Sequence, residues 1–150
     1  MKIGDKIPEV LGVDQDGNTV KASDFAGKKL IIYFYPKDNT PGCTAEACSL
    51  SLGYGALKRA GYALLGVSKD SAASHQKFIA KHTLPFPLIA DTDTALNQAF
   101  GVWREKKMAG RTYMGTVRTT FIIDEQGTVV HIIDKVNTKD SANQILELNL

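Results

Sequence analysis

Leu30-Ile31-Ile32-Tyr33-Phe34-Tyr35 is an unbroken run of branched and aromatic side chains. Such a run has no polar face to turn toward water, so it is stable as a strand only where both faces are covered, as at the centre of a sheet flanked by helices. Pro36 ends it, because proline cannot donate to a continuing ladder. The rest of the chain alternates to match. A helical stretch from Pro41 to about Arg59 is followed by a strand from Tyr62 to Val67, a helix from Ser71 to His82, a strand from Pro87 to Ala90 and a helix from Thr94 to Phe100. Strands separated by helices imply parallel βαβ units. Thr119 to Ile123 and Val129 to Ile133, joined by Asp124-Glu125-Gln126-Gly127, then read as a hairpin, and Lys139 to Leu148 as a closing helix. A βαβ half followed by a ββα half is the thioredoxin arrangement. Upstream, Val10 to Val13 and Thr19 to Lys21 flank Asp14-Gln15-Asp16-Gly17-Asn18, whose Asp-Gly step signals a turn, and Ser23-Asp24-Phe25 suggests a short helical turn. The expected fold class is therefore α/β, a thioredoxin-like fold with an N-terminal β-hairpin extension.

With 150 residues, 43% of them hydrophobic, residues 1–150 are expected to form one domain with a core large enough to fold unaided. Charged residues make up 23% and balance to a net +2, with lysines dispersed along the chain. This distribution calls for neither nucleic acid nor an anionic membrane as a partner. Charges and Pro8 interrupt the N-terminus too early for a signal peptide, and no window has the length of a membrane-spanning helix. Two cysteines are too few for a disulfide-stapled scaffold, and in the cytoplasm, the expected location, such a pair is catalytic or metal-binding.

The position of the first cysteine favours chemistry. Thr40 is a good N-cap, Pro41 suits a first helical residue, and a helix-forming stretch follows. Cys43 then falls in the first turn, where unpaired backbone N–H groups and the positive end of the helix dipole favour thiolate over thiol. The thiolate is the nucleophile. The site also lies at the carboxyl end of a parallel strand, where open α/β sheets present their ligands. Cys48 follows five positions later. On an intact α-helix this spacing puts the Cα atoms roughly 8.6 Å apart, beyond the reach of a disulfide, which requires less than about 7 Å. A Cys43–Cys48 disulfide therefore requires local unwinding.

The segment Tyr33-Phe34-Tyr35-Pro36-Lys37-Asp38-Asn39-Thr40-Pro41-Gly42-Cys43-Thr44-Ala45-Glu46-Ala47-Cys48 resembles the active-site segment of peroxiredoxins, in particular the bacterioferritin comigratory protein or Q type. Pro36, Thr40 and Cys43 match its Pro-x-x-x-Thr-x-x-Cys signature. The resemblance continues through Gly66-Val67-Ser68-Lys69-Asp70-Ser71, Leu84-Pro85-Phe86-Pro87-Leu88, Phe100-Gly101-Val102-Trp103 and Arg118-Thr119-Thr120-Phe121-Ile122-Ile123-Asp124. It implies the peroxiredoxin variant of the fold and a thiol peroxidase that reduces hydrogen peroxide and organic hydroperoxides. By the same resemblance, Cys43 is the peroxidatic cysteine and Cys48 the resolving one. Thr40 orients the peroxide, Pro36 shields the sulfur, and Arg118 holds the thiolate and polarises the peroxide. Glu46, assigned to the first helical turn, either complements the dipole or positions an arginine. No cofactor or metal is implied. The implied partners are a peroxide and thioredoxin or a similar dithiol reductant, with a monomeric enzyme. One departure is Ser49-Leu50-Ser51-Leu52-Gly53-Tyr54-Gly55, where Gly53 and Gly55 are expected to weaken the helix and ease its unwinding.

Competing functions are weaker. His75, His82 and His131 are scattered, and Cys-x4-Cys lacks the second paired motif of a metal site. Each histidine reads as a surface or satisfied structural residue. A thiol–disulfide oxidoreductase acting on proteins is the main alternative, but its signature is Cys-x-x-Cys. A thioredoxin-fold binding module that merely retains cysteines is the third.

Overall fold

The computed structural model describes residues 1–150. In chain order, strands β1 (Val10–Val13) and β2 (Thr19–Lys21) and a 3₁₀ turn (Ala22–Phe25) precede β3 (Lys29–Phe34). Helices α1 (Pro41–Leu52) and α2 (Tyr54–Arg59), strand β4 (Tyr62–Ser68), α3 (Ala72–His82), β5 (Leu88–Ala90) and α4 (Ala95–Ala99) follow. The chain then forms β6 (Trp103–Met108), β7 (Arg111–Thr116), β8 (Thr119–Ile123), β9 (Val129–Ile133) and α5 (Ser141–Leu146).

The main sheet has the order β5-β4-β3-β8-β9. β3, β4 and β5 run parallel, while β8 is antiparallel to both β3 and β9. This is the thioredoxin-like sheet expected from the sequence, with the apolar run at its centre. Successive β3 side chains enter opposite cores, as the pleat dictates. Ile31, Tyr33 and Tyr35 join Cys43, Ala47, Leu50, Phe78 and Ile145 on the side covered by α1, α3 and α5. Leu30, Ile32 and Phe34 meet Leu65, Val67, Phe100 and Phe121 on the other. The N-terminal hairpin is also present, with Val13 opposite Thr19.

The structure departs from the sequence expectation in two places. The helix expected from Pro41 to about Arg59 is broken at Gly53. A methyl group built on Gly53 would lie 2.2 Å from the Ala142 Cβ, so this glycine is required by the close approach of α5. Neither glycine lies between Cys43 and Cys48, and Gly53 has a packing role against α5. The second departure is the β6–β7 ribbon, whose charged stretch Trp103-Arg104-Glu105-Lys106-Lys107-Met108 shows no apolar alternation. It pairs from Trp103↔Thr116 to Met108↔Arg111 and turns through Ala109 and Gly110, both at positive φ (51° and 78°). Those angles suit a two-residue hairpin turn, but alanine at the first position hides it from sequence inspection.

Candidate active site

Helix α1 begins where β3 leaves the sheet. Thr40 has the extended backbone of an N-cap (φ −94°, ψ 153°) and Pro41 opens the helix. The expected side-chain cap is not formed: the Thr40 hydroxyl instead donates to the Lys37 carbonyl at 2.8 Å. This bond tightens the loop that links Pro36 to the helix and leaves the oxygen's lone pairs free. Cys43, third in the helix, points inward and is 1% exposed. Both cysteines are free thiols, and both lie within the continuous turns of α1.

Arg118 occupies the short connection between β7 and β8. Thr119 pairs with Phe34 at the carboxyl end of β3, and Val117 is held by its N–H to the Val102 carbonyl at 2.8 Å. This anchoring brings a residue seventy-five positions from Cys43 over the helix start. Nη2 donates to the Cys43 sulfur at 3.3 Å and Nη1 to Glu46 Oε1 at 2.6 Å. A methyl group on Gly42 would lie 3.2 Å from Nη2, so the glycine before the cysteine leaves room for the guanidinium. That requirement was missed in the sequence, where Gly42 reads only as part of the motif.

Glu46 is not in the first turn, where the helix carries no acidic residue; it sits one turn further in and is fully buried. Of its two possible roles, the arrangement selects the contact with arginine. Burial pushes its carboxyl up to about 7, against the lowering pull of Arg118. Burial works to lower the Arg118 guanidinium, but Glu46 and Cys43 outweigh it and raise it above its ordinary value. The result is a cation fixed between a buried carboxylate and a sulfur.

A second network steadies the approach loop and was not anticipated. Asp38 is buried and accepts from Tyr35 Oη at 2.6 Å and Ser74 Oγ at 2.8 Å, with His75 Nδ1 at 2.8 Å. Its backbone N–H donates to Asp70 at 2.8 Å. Burial would raise the Asp38 carboxyl, but the bonds from His75 and Tyr35 hold it below its usual value. His75 also reaches the Ile89 carbonyl at 2.9 Å; of the surface and satisfied structural roles the sequence left open for it, it takes the second. The only prior signal for Asp38 was its place in the Pro36–Cys43 motif. Pro36 itself is half-buried, two residues beyond the end of β3.

A thioredoxin-like sheet that presents an arginine-held thiol at a helix start defines the class of thiol peroxidases. Residues 3–132 match the family model AhpC/TSA. Peroxiredoxin Bcp of Bacillus subtilis is 43% identical over 147 residues, covering 98% of this chain and 94% of that protein. Peroxiredoxin Bcp of Escherichia coli is 40% identical over 146 residues, covering 97% and 94%. Among solved structures, a cysteine mutant of Xylella fastidiosa PrxQ superposes with a TM-score of 0.90 at 34% identity, covering 99% of this chain and 94% of that one. The Xanthomonas campestris bacterioferritin comigratory protein, described by its alkyl peroxide reduction activity, gives 0.86 at 37% identity with 97% coverage of each chain. The chain belongs to the AhpC/TSA family. It is a thiol peroxidase of the peroxiredoxin class, and its two cysteines fit the two-cysteine type. No helix is long and apolar enough to cross a membrane.

Proposed function

We propose that Cys43 is the peroxidatic cysteine, that Cys48 resolves it, and that Arg118, Thr40, Pro36 and Glu46 build the peroxide site. The observation that carries this assignment is the 3.3 Å contact between Arg118 Nη2 and the Cys43 sulfur. The thiolate attacks one peroxide oxygen, the O–O bond breaks, and the sulfur becomes a sulfenic acid while the departing oxygen takes a proton to become water or an alcohol. Negative charge develops on that departing oxygen. The guanidinium, already fixed by Glu46, stabilises it without reorganising, and first-turn amides of α1 add partial positive charge. Thr40 Oγ1, committed as a donor to Lys37, can accept a peroxide hydrogen. Pro36 shields the sulfur side of the pocket. Cys48 then condenses with the sulfenic acid, expelling water and preventing further oxidation. Because both cysteines sit in one continuous helix, this step unwinds α1 between them.

Hydrogen peroxide and small alkyl hydroperoxides are the proposed substrates, thioredoxin or a similar dithiol the reductant, and a cytoplasmic monomer the working form, all within one domain spanning residues 1–150. Burial of Cys43, which is 1% exposed, leaves room for a small peroxide to approach but not for a protein disulfide, which argues against a protein thiol–disulfide oxidoreductase. Stopped-flow mixing with hydrogen peroxide tests the assignment. Rapid stoichiometric consumption by the wild type, abolished in Cys43→Ser, is expected. Consumption that persists in Cys43→Ser would overturn it.

A further inference from the structure

Cys48 has a neighbour that the peroxide site does not use. His82, the last residue of α3, places Nδ1 3.9 Å from the Cys48 sulfur, within reach of a thiol hydrogen bond. The helix that carries the histidine is closed at both ends, and an aromatic ring packs against the imidazole. α3 is capped at its start by Ser71 Oγ, which accepts the Ser74 N–H at 3.2 Å. At its end Thr83 adopts the left-handed conformation (φ 51°), and the Leu84 N–H closes back on the Ile79 carbonyl at 3.1 Å, a Schellman-type stop. The Phe78 ring, one turn earlier and fully buried, meets the imidazole in a T-shaped contact with centroids 5.2 Å apart. The chain's two salt bridges join His75 to Asp38 and Arg118 to Glu46, so no carboxylate competes for this imidazole. The basic residue beside it in the last turn of α3 is Lys81.

We infer that His82 is the general base of the resolution step, taking the proton from Cys48 as it attacks. This deepens the peroxidase assignment above and rests on it. With Nε2 carrying the hydrogen, Nδ1 offers its lone pair to the thiol. The proton passes to Nδ1, and the Cys48 thiolate attacks the sulfur of Cys43 sulfenic acid. The new S–S bond forms as the S–O bond breaks; the departing hydroxide takes up a proton, and the imidazolium releases one to solvent, so water is the only net product beside the disulfide. Cys43 is prepared by its helix terminus and arginine, whereas Cys48, in the middle of the same helix, has neither. His82 supplies the missing activation.

The size of the effect is bounded. A free thiol titrates near about 8.5, so at pH 7 only about 3% is ionised, and full deprotonation accelerates attack by at most about thirtyfold. Stopped-flow kinetics separate sulfenic acid formation from disulfide formation. His82→Ala and the size-preserving His82→Asn are expected to leave the first phase within about twofold of wild type and to slow the second by about three- to thirtyfold. Added imidazole should restore the second phase in His82→Ala, which loss of packing alone would not allow. A second phase unchanged in both variants, or slowed but indifferent to imidazole, overturns the role of His82. A wild-type chain showing no peroxide phase at all overturns the peroxidase assignment itself, and the two failures are thus distinct.

Discussion

Replacing Arg118 by methionine removes the guanidinium and keeps an unbranched side chain of similar reach, and its consequences divide into a rate effect and a stability effect. Loss of one fixed donor at a site of developing negative charge costs about 10²–10³ in rate, so peroxide attack should slow by that factor. Stability depends on Glu46, which is fully buried and loses its 2.6 Å partner. A buried carboxylate without a partner avoids charge by holding a proton. In the wild type its carboxyl already stands at about 7, so at pH 6 both proteins keep Glu46 largely neutral and differ little through this group. Above pH 7 the wild type ionises against Arg118 while the variant must retain the proton. The variant should therefore lose up to about 1.4 kcal/mol more for every pH unit above 7, about 3 kcal/mol by pH 9. Urea unfolding at pH 6 and pH 9 measures this difference. Adding Glu46→Gln to Arg118→Met should abolish the pH-dependent loss without restoring the rate. A single variant that attacks peroxide within about threefold of wild type, or a double variant that recovers the rate, would refute the reasoning.

Wild-type stability should itself carry the signature of Glu46. Its folded carboxyl is raised from 4.5 to about 7, so the folded state holds the proton more tightly and stability from this group falls as pH rises between those values, by up to about 3 kcal/mol; urea midpoints of Glu46→Gln should lack this decline, and an identical decline would contradict it. Gly53→Ala should destabilise by about 1–3 kcal/mol because the added carbon collides with Ala142, whereas Gly55→Ala, facing only the end of Arg59 at 3.4 Å, should gain up to about 1 kcal/mol; thermal unfolding of both decides, and the reverse order would refute the packing argument. Gly42→Ala should displace Arg118 Nη2 by a few tenths of an ångström, as its methyl would stand 3.2 Å away, and stopped-flow should show slower peroxide attack with disulfide formation unchanged. Attack at the wild-type rate would show that the approach is not tight.

The central sheet was legible because burial on both faces leaves a mark in the sequence: the run at β3 has no polar positions, and turn residues separate the later strands and helices. The N-terminal hairpin and the β8–β9 hairpin carried Asp-Gly or Gly-containing turns and were equally visible. The β6–β7 ribbon was not, because strands standing away from the core have no apolar alternation to preserve. Within the site, Cys43 was legible from helix-start chemistry, and Thr40, Pro36 and Arg118 from the resemblance. Local sequence could not have joined Arg118 to Cys43, since β8 brings them together only through its pairing with β3. Glu46 was misplaced by one turn. The Asp38 network and the His82 contact with Cys48 escaped for the same reason as Arg118: each links separate elements through tertiary packing.

Mass spectrometry after one equivalent of hydrogen peroxide tests the nucleophile and its resolver most directly. The wild type should lose two hydrogens and yield a peptide joining Cys43 to Cys48, and Cys48→Ser should instead gain one oxygen at Cys43. An unchanged mass in the wild type, or an oxygen appearing first on Cys48 while Cys43 stays reduced, would contradict the account.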